Sequence, residues 1–199
     1  MFDSGIQVDD LIKQINFETD IALDIPDETY VLWLNALQQL VYTEIVKEQK
    51  KIDVLSLLDN YVVDLSEIKK TGENATRFED IHAVYADNTQ LIKSTVASGE
   101  IFPNTYFKID NKLGINAEVS KELTIVYFVK PELINPNSIG DSKVMLPIEF
   151  VDLAKAKLRG EAYKVANEDN LAAKWLNDYN ILLETFKAWV LDKSATFGL

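Results

Sequence analysis

The chain contains no cysteine, a single histidine and only seven glycines among its 199 residues. The missing cysteines exclude disulfides, thiol catalysis and cysteine-ligated zinc. The lone histidine, His82, excludes zinc sites that need a histidine pair. Its strand-like surroundings and the lack of a nucleophile beside it favour a half-exposed strand residue over a Ser-His-Asp triad. The glycines show neither GxGxxG nor GxxxxGK, the spacings that build phosphate-binding loops.

Basic residues are also scarce: 20 Lys and Arg stand against 32 Asp and Glu, which gives a net charge of −12. Such a surface repels phosphate backbones and argues against tight nucleic-acid binding, although it suits a passage through which DNA must slide. No apolar run approaches ~18 residues, so we expect no transmembrane helix. The first residues lack a signal-peptide pattern, and together with the missing cysteines this predicts synthesis in a reducing cytoplasm.

Acidic doublets are the remaining candidates for chemistry. Asp9-Asp10, Glu79-Asp80 and Glu168-Asp169 have the residue types that hold Mg²⁺ or Ca²⁺ or that transfer protons. Neighbouring residues on a strand point to opposite faces, which weakens the case for the second pair. The other two pairs lie at predicted helix starts, where acids stabilise the helix dipole. With 32 acids in the chain such doublets arise by chance. We therefore expect no metal site, no cofactor and no catalysed reaction.

Apolar residues at helical spacing predict two N-terminal helices. The first runs from Val8 to Asn16. The second runs from about Asp27, a candidate N-cap that follows Pro26, to Gln49. Its apolar face consists of Tyr30, Trp33, Leu34, Leu37, Leu40, Val41 and Ile45.

The apolar period changes towards two between Ile52 and Pro131, which predicts strands. Residues 78–85 and 90–96 are predicted to form two strands that turn at residues 86–89. Residues 106–109 and 113–115 are predicted to form a hairpin around Asp110-Asn111-Lys112, with Gly114 available for a bulge. Residues 123–130 are apolar on both faces, which predicts a central strand.

Two further helices are predicted near the C-terminus. Leu146-Pro147-Ile148-Glu149 opens the third helix, and Asn167 is the predicted cap of the fourth. Gly160 costs about 1 kcal/mol in a helix relative to Ala, which indicates either neutral drift or the close approach of another helix. Residues 194–199 form a short apolar tail. The predicted buried stripes are Ile148, Val151, Ala154, Leu158, Ala162 and Val165 in the third helix, and Leu171, Trp175, Tyr179, Leu182, Leu183, Phe186, Trp189 and Val190 in the fourth.

The order helix, helix, strands, helix, helix predicts an α+β fold. We expect a helical bundle of two N-terminal and two long C-terminal helices with an inserted antiparallel β region. The length suffices for one sizeable core and is short for two cores without a visible linker, which predicts a single domain over residues 1–199. Within it we place the N-terminal helices in 1–50, the β-rich region in 52–131, the C-terminal helix pair in 146–192 and a tail in 193–199.

Two segments, taken together, resemble the head-to-tail connector proteins (adaptor or head-completion proteins) of tailed bacteriophages. The first is the run from Val8-Asp9-Asp10-Leu11-Ile12 to Tyr30-Val31-Leu32-Trp33-Leu34-Asn35-Ala36-Leu37, in which a short helix precedes a long one with a Trp-Leu-Asn-Ala element. The second begins at Val126-Tyr127-Phe128-Val129-Lys130-Pro131, passes through a loop to Leu146-Pro147-Ile148-Glu149-Phe150, and ends in two helices from Val151 to about Leu191. Each motif is common by itself, and their succession carries the resemblance. Residues 52–121 contain no motif of the family.

The resemblance implies a structural virion protein. In that family a ring of copies, commonly twelve, binds beneath the capsid portal, joins it to the tail and forms part of the DNA passage. Carried onto this chain, residues 192–199 would be a portal-docking tail, with Phe197, Gly198 and Leu199 as its docking residues. The alternative is that these residues fray in solution.

The same resemblance sets the expected partners and location. The partners are the portal protein, tail or neck proteins and further copies of the chain, most simply as a dodecamer. DNA would pass through the ring without sequence-specific binding, and no membrane is involved. The expected location is the virion neck at the head-to-tail junction, after synthesis in the cytoplasm of a bacterial host.

Three alternatives stay open at this point. The chain could be another neck or tail-completion subunit, which belongs to the same class. It could be a small acidic metal-dependent hydrolase or nuclease, although the single histidine and the missing basic patch count against this. It could also be a non-viral binding module whose acidic surface mimics nucleic acid, and such a module would bind a basic partner tightly.

Overall fold

The structure, a computed structural model, describes residues 4–19, 24–47, 49–67, 77–94 and 102–197. The chain forms two compact units. The helical unit consists of Met1–Val46 and Leu133–Leu199, and the β unit consists of Lys47–Glu132. The β unit is therefore inserted in sequence between the two halves of the helical unit, and it contains the β-rich region predicted at 52–131.

The helical unit is built on four α-helices within the described residues. They are α1 (Val8–Thr19), α2 (Asp27–Leu40), α3 (Val151–Val165) and α4 (Asp169–Phe197). Their shared core includes Leu11, Ile15, Leu34, Leu158 and Phe186, which are all almost completely buried. The predicted α+β fold with a helical bundle is confirmed.

The α3 helix is the central helix of this unit, because it packs against α4 as well as against α1 and α2. With 3.6 residues per turn, its buried residues fall into two stripes on opposite sides. One stripe consists of Val151, Ala154, Leu158 and Ala162, and the other of Leu153, Ala156 and Gly160. The second stripe faces α4, since Gly160 lies directly against Leu176. The α3 helix is therefore buried on two sides, one of which packs against α4.

The end of α2 differs from the prediction. The α-helix stops at Leu40 and continues as a π-helical turn, Val41–Val46, and Lys47 then adopts a φ of 48°. The next residues already form a strand from Gln49, so the N-terminal helices do not extend to residue 50. Apolar residues keep their helical spacing through the π-helical turn, which is why the sequence did not reveal the end. Asp27 is the first helical residue and not the cap, which is Pro26.

The described residues of the β unit form two sheets. The strands are β1 (Gln49–Asp53), β2 (Leu58–Asp59), β3 (Val62–Asp64), β4 (Arg77–Ala86), β5 (Thr89–Gln90), β6 (Ile92–Lys93), β7 (Thr105–Ile109), β8 (Lys112–Asn116) and β9 (Leu123–Lys130). One sheet has the order β1-β9-β4-β5 and the other has the order β2-β3-β8-β7-β6. As predicted, β9 is a central strand, and both of its faces are buried.

Two turns in the β unit are confirmed. Asp87 and Asn88 join β4 to β5 with φ angles of 47° and 68°, the left-handed values that hairpin turns of this type need. Asp110 and Asn111 join β7 to β8. Gly114 forms no bulge: it pairs in register with Phe107, whose ring covers the space where a side chain would lie.

The predicted antiparallel arrangement is wrong for one pair of strands. The strand predicted at 90–96 is interrupted after Gln90, and Ile92–Lys93 pairs in parallel with β7 of the other sheet. The interruption occurs at Leu91, whose side chain is buried while its backbone N–H still bonds to the carbonyl of Val84 on β4 at 2.8 Å. The chain thus passes from one sheet to the other at a single buried residue. The alternation of apolar and polar side chains in the sequence does not reveal this change of sheet.

Several details of the C-terminal helices also differ from the prediction. Ile148 is exposed in a 3₁₀ turn, Ile148–Phe150, that precedes α3, and Val165 is exposed as the last residue of α3. Asn167 has a φ of 61° and donates its N–H to the carbonyl of Lys164, so it ends α3 and does not cap α4. The α4 helix continues to Phe197, so the tail predicted at 193–199 is helical up to that residue.

Replacement of Gly160 by Ala tests the close packing of α3 on α4. Helix propensity alone predicts a gain of about 1 kcal/mol. A Cβ atom at this position would, however, lie 2.7 Å from Cγ and Cδ2 of Leu176, so we expect a loss of roughly 1–3 kcal/mol. Urea unfolding followed by tryptophan fluorescence measures it, because all three tryptophans lie in the helical unit. Gly140→Ala, where a Cβ meets nothing within 4 Å, is the control. A stabilised Gly160→Ala variant would contradict this packing.

Candidate assembly surfaces

The two segments that carry the family resemblance meet inside the helical unit. The side chain of Asn35 accepts a hydrogen bond from Ile134 N at 2.8 Å and donates one to the Ile134 carbonyl at 3.1 Å. One turn later, the side-chain oxygen of Gln38 accepts a hydrogen bond from Met145 N at 2.8 Å. These bonds attach the segment that follows β9 to α2, 99 and 107 residues away in sequence. The Asn of the Trp-Leu-Asn-Ala element therefore has a structural role.

An aromatic cluster joins the start of α3 to the second half of α4. The Phe150 ring lies edge-on to Phe186, with ring centroids 4.9 Å apart, and is tilted against Trp189 at 5.3 Å. Phe186 is completely buried, so most of this contact is hydrophobic burial. The Leu-Pro-Ile-Glu-Phe motif thus ends on a residue that fixes α4 against the unit.

Arg159 of α3 connects the helices on its two sides. Its guanidinium forms an ion pair with Glu18 of α1 and stacks over the Trp175 ring of α4, 4.5 Å from the ring centre. Burial lowers the pKa of the Arg159 guanidinium below its ordinary value, but an arginine stays charged at any pH the protein meets. Neighbouring side chains form an open groove beside it, lined by Gln14, Asp152, Lys155, Asp178 and Ile181. The ion pair with Glu18 and the stacking on Trp175 both lie within the unit, which indicates a structural role.

The outer face of α2 has no charge. The 15 residues from Thr29 to Thr43 contain no Asp, Glu, Lys or Arg, although 26% of the chain is charged. Leu32 is 66% exposed, and Ala36 and Leu40 continue the same exposed line at intervals of four residues. We call Leu32, Ala36 and Leu40 the α2 face. Its solvent-facing side lies away from α3, because the residues of α2 that pack inward are Tyr30, Val31, Leu34, Leu37 and Gln38.

The outer face of α4 carries a second apolar line. Ile181 and Leu191 are 59% and 71% exposed, and Ala188 lies between them on the same side of the helix. We call Ile181, Ala188 and Leu191 the α4 face. The neighbouring Glu184 is paired with Lys187 at 2.6 Å, so its charge is already compensated. Exposed aliphatic residues in rows on a helix are typical of surfaces that become buried in an assembly.

In the β unit the most organised polar site is a clamp around the Asp87 carboxylate. It accepts hydrogen bonds from the Ser120 hydroxyl at 2.7 Å and from the backbone N–H groups of Ser120, Lys121 and Glu122 at 2.8–2.9 Å. These donors, the Ser120 hydroxyl first, hold the pKa of the Asp87 carboxyl well below its usual range. The carboxylate thereby fixes the loop before β9 to the turn after β4. All of its partners are internal, so the clamp is structural.

The other residues considered from the sequence take ordinary positions. His82 is exposed on β4 with its ring against Phe128, 5.1 Å between centroids. Asp9 is paired with Lys13 on α1. Within the described residues no group of three or more His, Cys, Asp or Glu is arranged to hold a metal ion. No helix in that part of the chain is long and apolar enough to span a membrane.

The predicted docking residues lie at the end of α4. Phe197 is its last residue, and Gly198 and Leu199 lie outside the described residues. Their contact with a portal stays a prediction. The two apolar faces were missed, because the sequence pattern assigned Leu40 to the buried stripe and left Leu32, Ile181 and Leu191 without a role. The uncharged run from Thr29 to Thr43 is a signal that could have identified the α2 face.

Replacement of Asn35 by Ala tests the connection between α2 and the segment after β9. The N–H and carbonyl of Ile134 would lose their partner in a part-buried position, so we expect the helical unit to lose roughly 2–3 kcal/mol. Urea unfolding followed by tryptophan fluorescence gives the difference. Gln39→Ala, at an exposed position on the same helix, serves as the control and should change stability by less than about 0.5 kcal/mol. Equal effects of the two substitutions would refute the assigned role of Asn35.

Asp87→Asn separates the charge of the clamp from its backbone conformation, because Asn tolerates the left-handed φ of this turn. The pKa of this carboxyl is lower in the folded protein than in the unfolded chain, where it is about 3.9. The ionised carboxyl therefore stabilises the fold fully above about pH 3.9, and this stabilisation is lost as the pH falls below that value. We therefore expect the variant to be less stable at pH 7 and to lose less stability on acidification below about pH 4. Hydrogen exchange of the amides at residues 120–122 measures both effects. Identical acid sensitivity of wild type and variant would contradict the role of the charge.

Comparison with known proteins adds no family assignment. No protein-family model matches the chain, and no curated protein sequence matches it. We therefore infer function from the surfaces described above and from the resemblance of the two segments.

Proposed function

We propose that the chain is a structural subunit of a tailed-phage neck, a head-to-tail adaptor that joins the capsid portal to the tail as a ring of copies. The observation that carries the proposal is the direct bonding of the two segments: Asn35 of the first segment, and Gln38 just beyond it, bond to the loop after β9. The first segment lies in the helical unit, and the second runs along the chain from β9 of the β unit into the helical unit. That succession of elements is what the family resemblance implies.

The surfaces of the helical unit suit an assembly subunit. It exposes rows of aliphatic side chains on two different helices, and such rows gain free energy when another surface covers them. In a ring each contact raises the effective concentration of the next, so modest interfaces suffice. A net charge of −12 per copy suits a ring through which DNA must move without binding.

The alternatives differ in what supports them. Another neck or tail-completion subunit would use the same kind of surfaces, and the test below separates it by its partner. No specific observation favours the metal-dependent hydrolase. The carboxylates of Asp9 and Asp87 already have partners within the chain: Asp9 forms an ion pair with Lys13, and Asp87 accepts hydrogen bonds from the loop at residues 120–122. A module that mimics nucleic acid would present clustered acids, whereas the exposed rows here are aliphatic.

Removal of residues 192–199 tests the docking tail. The truncation ends α4 after Leu191 and keeps the buried Phe186 and Val190, so we expect a folded protein. We also expect that it no longer adds a collar to portal rings, which negative-stain microscopy of the mixture detects. The wild-type protein should form rings or add such a collar.

A second experiment keeps the full chain length and changes single residues of the tail. Replacing Phe197 and Leu199 by Ala should abolish the collar, whereas replacing Ser194 and Thr196 by Ala, in the same segment, should preserve it. A truncated protein that still decorates portals would rule out the docking tail. A wild-type protein that ignores portals would remove the main support for the neck function.

A further inference from the structure

We propose that the outer edge of β1 binds an extended, acidic segment of a partner protein, which adds to the four-stranded sheet as a further strand. This mode of recognition takes its affinity from backbone hydrogen bonds and its specificity from the side chains that alternate along the two strands. The inference goes beyond the proposed function and does not rest on it, since it concerns the β unit and a partner of stated chemistry.

The outer edge of β1 offers backbone groups to such a segment. Among the strands that the structure describes, β1 ends the four-stranded sheet and has a neighbour, β9, on one side only. The N–H of Val54, the next residue, bonds to the Leu123 carbonyl at 2.8 Å. Residues of an antiparallel strand bond in turn to one neighbour and then face away from it, so Gln49, Lys51 and Asp53 direct their N–H and carbonyl groups away from β9. These three residues offer an antiparallel partner up to about six backbone hydrogen bonds.

The other sheet edges in the described part of the chain are too short or too irregular for this. The strands β2, β5 and β6, which end the two sheets elsewhere, have two residues each. The β4 strand extends beyond β5, but its register shifts between Phe78 and Asp80 and again between Ile81 and Ala83. Short strands and bulges protect sheet edges from further pairing. By contrast, β1 pairs over five residues without a shift, and four of the five are exposed, so a further strand fits best there.

The side chains of β1 select the charge of the partner. Lys50 and Lys51 are consecutive, so they stand on opposite faces of the sheet, and both are exposed. The β9 residues opposite them are Tyr127 and Val126, and neither lysine has an ion-pair partner among the described residues. Two consecutive acids on an added strand would meet one lysine on each face. Opposite charges on facing strands stabilise the pairing.

The acids of this stretch leave that preference in place. The Asp53 carboxylate accepts hydrogen bonds from the backbone N–H groups of Leu55 at 3.0 Å and Leu123 at 3.4 Å, so it is bound to its own chain. Glu48 lies outside the described residues. Residues 47–53 contain three lysines and two acids, in a chain whose net charge is −12. The edge is therefore a locally basic site on an acidic protein, and charge complementarity favours an acidic partner.

The same lysines disfavour a second copy at this edge, as lysines on edge strands commonly do. If two β1 strands paired over their full length in the antiparallel direction, Lys51 would lie opposite itself, and a pair centred on Lys50 would place that lysine opposite itself. Like charges directly opposite each other destabilise strand pairing. The register that pairs Lys51 with Asp53 joins only residues 51–53 of each strand. An acidic segment can use all five residues.

The test uses an acetylated and amidated peptide, Ser-Thr-Ile-Glu-Glu-Thr-Ser, added to the isotope-labelled full-length protein. In the antiparallel register its two Glu lie opposite Lys51 and Lys50, and its Ile lies opposite the half-buried Ile52. NMR titration measures the Kd, which we expect at roughly 1 mM or tighter, the weak end of the affinity scale.

Hydrogen exchange then locates the peptide on the edge. We expect exchange about fivefold slower at residues 49, 51 and 53 when the free peptide is at about four times its Kd, because the peptide covers these amides. Residues 50 and 52 should not change, since their amides already bond to β9.

Two N-methylated forms of the peptide separate strand addition from contact through side chains alone. Methylation of both Thr and the first Glu blocks the backbone N–H groups that face β1 in this register, whereas methylation of Ile and the second Glu blocks those that face water. We expect the first form to lose binding and the second to keep it. Equal binding of the two forms would overturn strand addition.

Charge reversal tests the acidic preference. Wild type should bind a peptide with Lys-Lys in place of Glu-Glu at least about tenfold more weakly, and the double variant Lys50→Glu with Lys51→Glu should reverse this preference. The matched control is Lys108→Glu with Lys112→Glu, since both lysines are exposed on strands inside the other sheet. It changes the net charge equally and should keep the Kd of the Glu-Glu peptide within about twofold, because distant surface charges are screened by salt. Circular dichroism confirms that both variants fold.

Three further results would overturn the inference. The first is unchanged exchange at residues 49, 51 and 53 in the presence of the Glu-Glu peptide. The second is wild type that binds the Lys-Lys peptide as tightly as the Glu-Glu peptide, which would indicate an edge without charge preference. The third is protection of the same amides that rises with protein concentration in the absence of peptide, which would assign the edge to a second copy.

Discussion

The helical unit depends on one constraint: α3 must be buried on two opposite sides at once. A central helix can do this only if its side chains are small where another helix approaches, and the side towards α4 offers Ala156 and Gly160. Leu176 occupies the space left by the missing side chain of Gly160. Arg159, at the border between the two sides, then bonds to both neighbours through Glu18 and Trp175. The helices α1, α2 and α4 all pack against α3.

Polar side chains fix two loops in place by hydrogen bonds to backbone groups. Asn35 and Gln38 have no charge, so their burial beside the segment after β9 costs less than the burial of an ionised side chain, although Nε2 of Gln38 has no hydrogen-bond partner among the described residues. A charged residue there would be much more expensive to bury. In the β unit the opposite solution appears: Asp87 keeps its full charge because four donors surround it. Both arrangements hold a loop against a regular element that is distant in sequence.

Much of the fold could be predicted from the sequence, and the failures have physical causes. The long apolar periods of α2, α4 and β9 predicted these elements because each has a continuous buried side. The π-helical turn at Val41–Val46 was missed because it preserves that period while changing the backbone. The parallel pairing of β6 depends on one buried residue, Leu91. The assembly surfaces were missed for another reason: an exposed leucine such as Leu32 looks the same in sequence as a buried one, and only the packing of α2 distinguishes them.

The insertion of the β unit has a consequence for biosynthesis. The ribosome completes Lys47–Glu132 before it has made any of α3 or α4, so the β unit can fold as a contiguous stretch while the N-terminal helices still lack their partner. During that interval the inward sides of α1 and α2, with Leu11, Ile15 and Leu34, lack the cover that α3 and α4 later provide. The nascent chain therefore exposes an apolar surface until the last third of the protein emerges, and it is most prone to aggregate during this period.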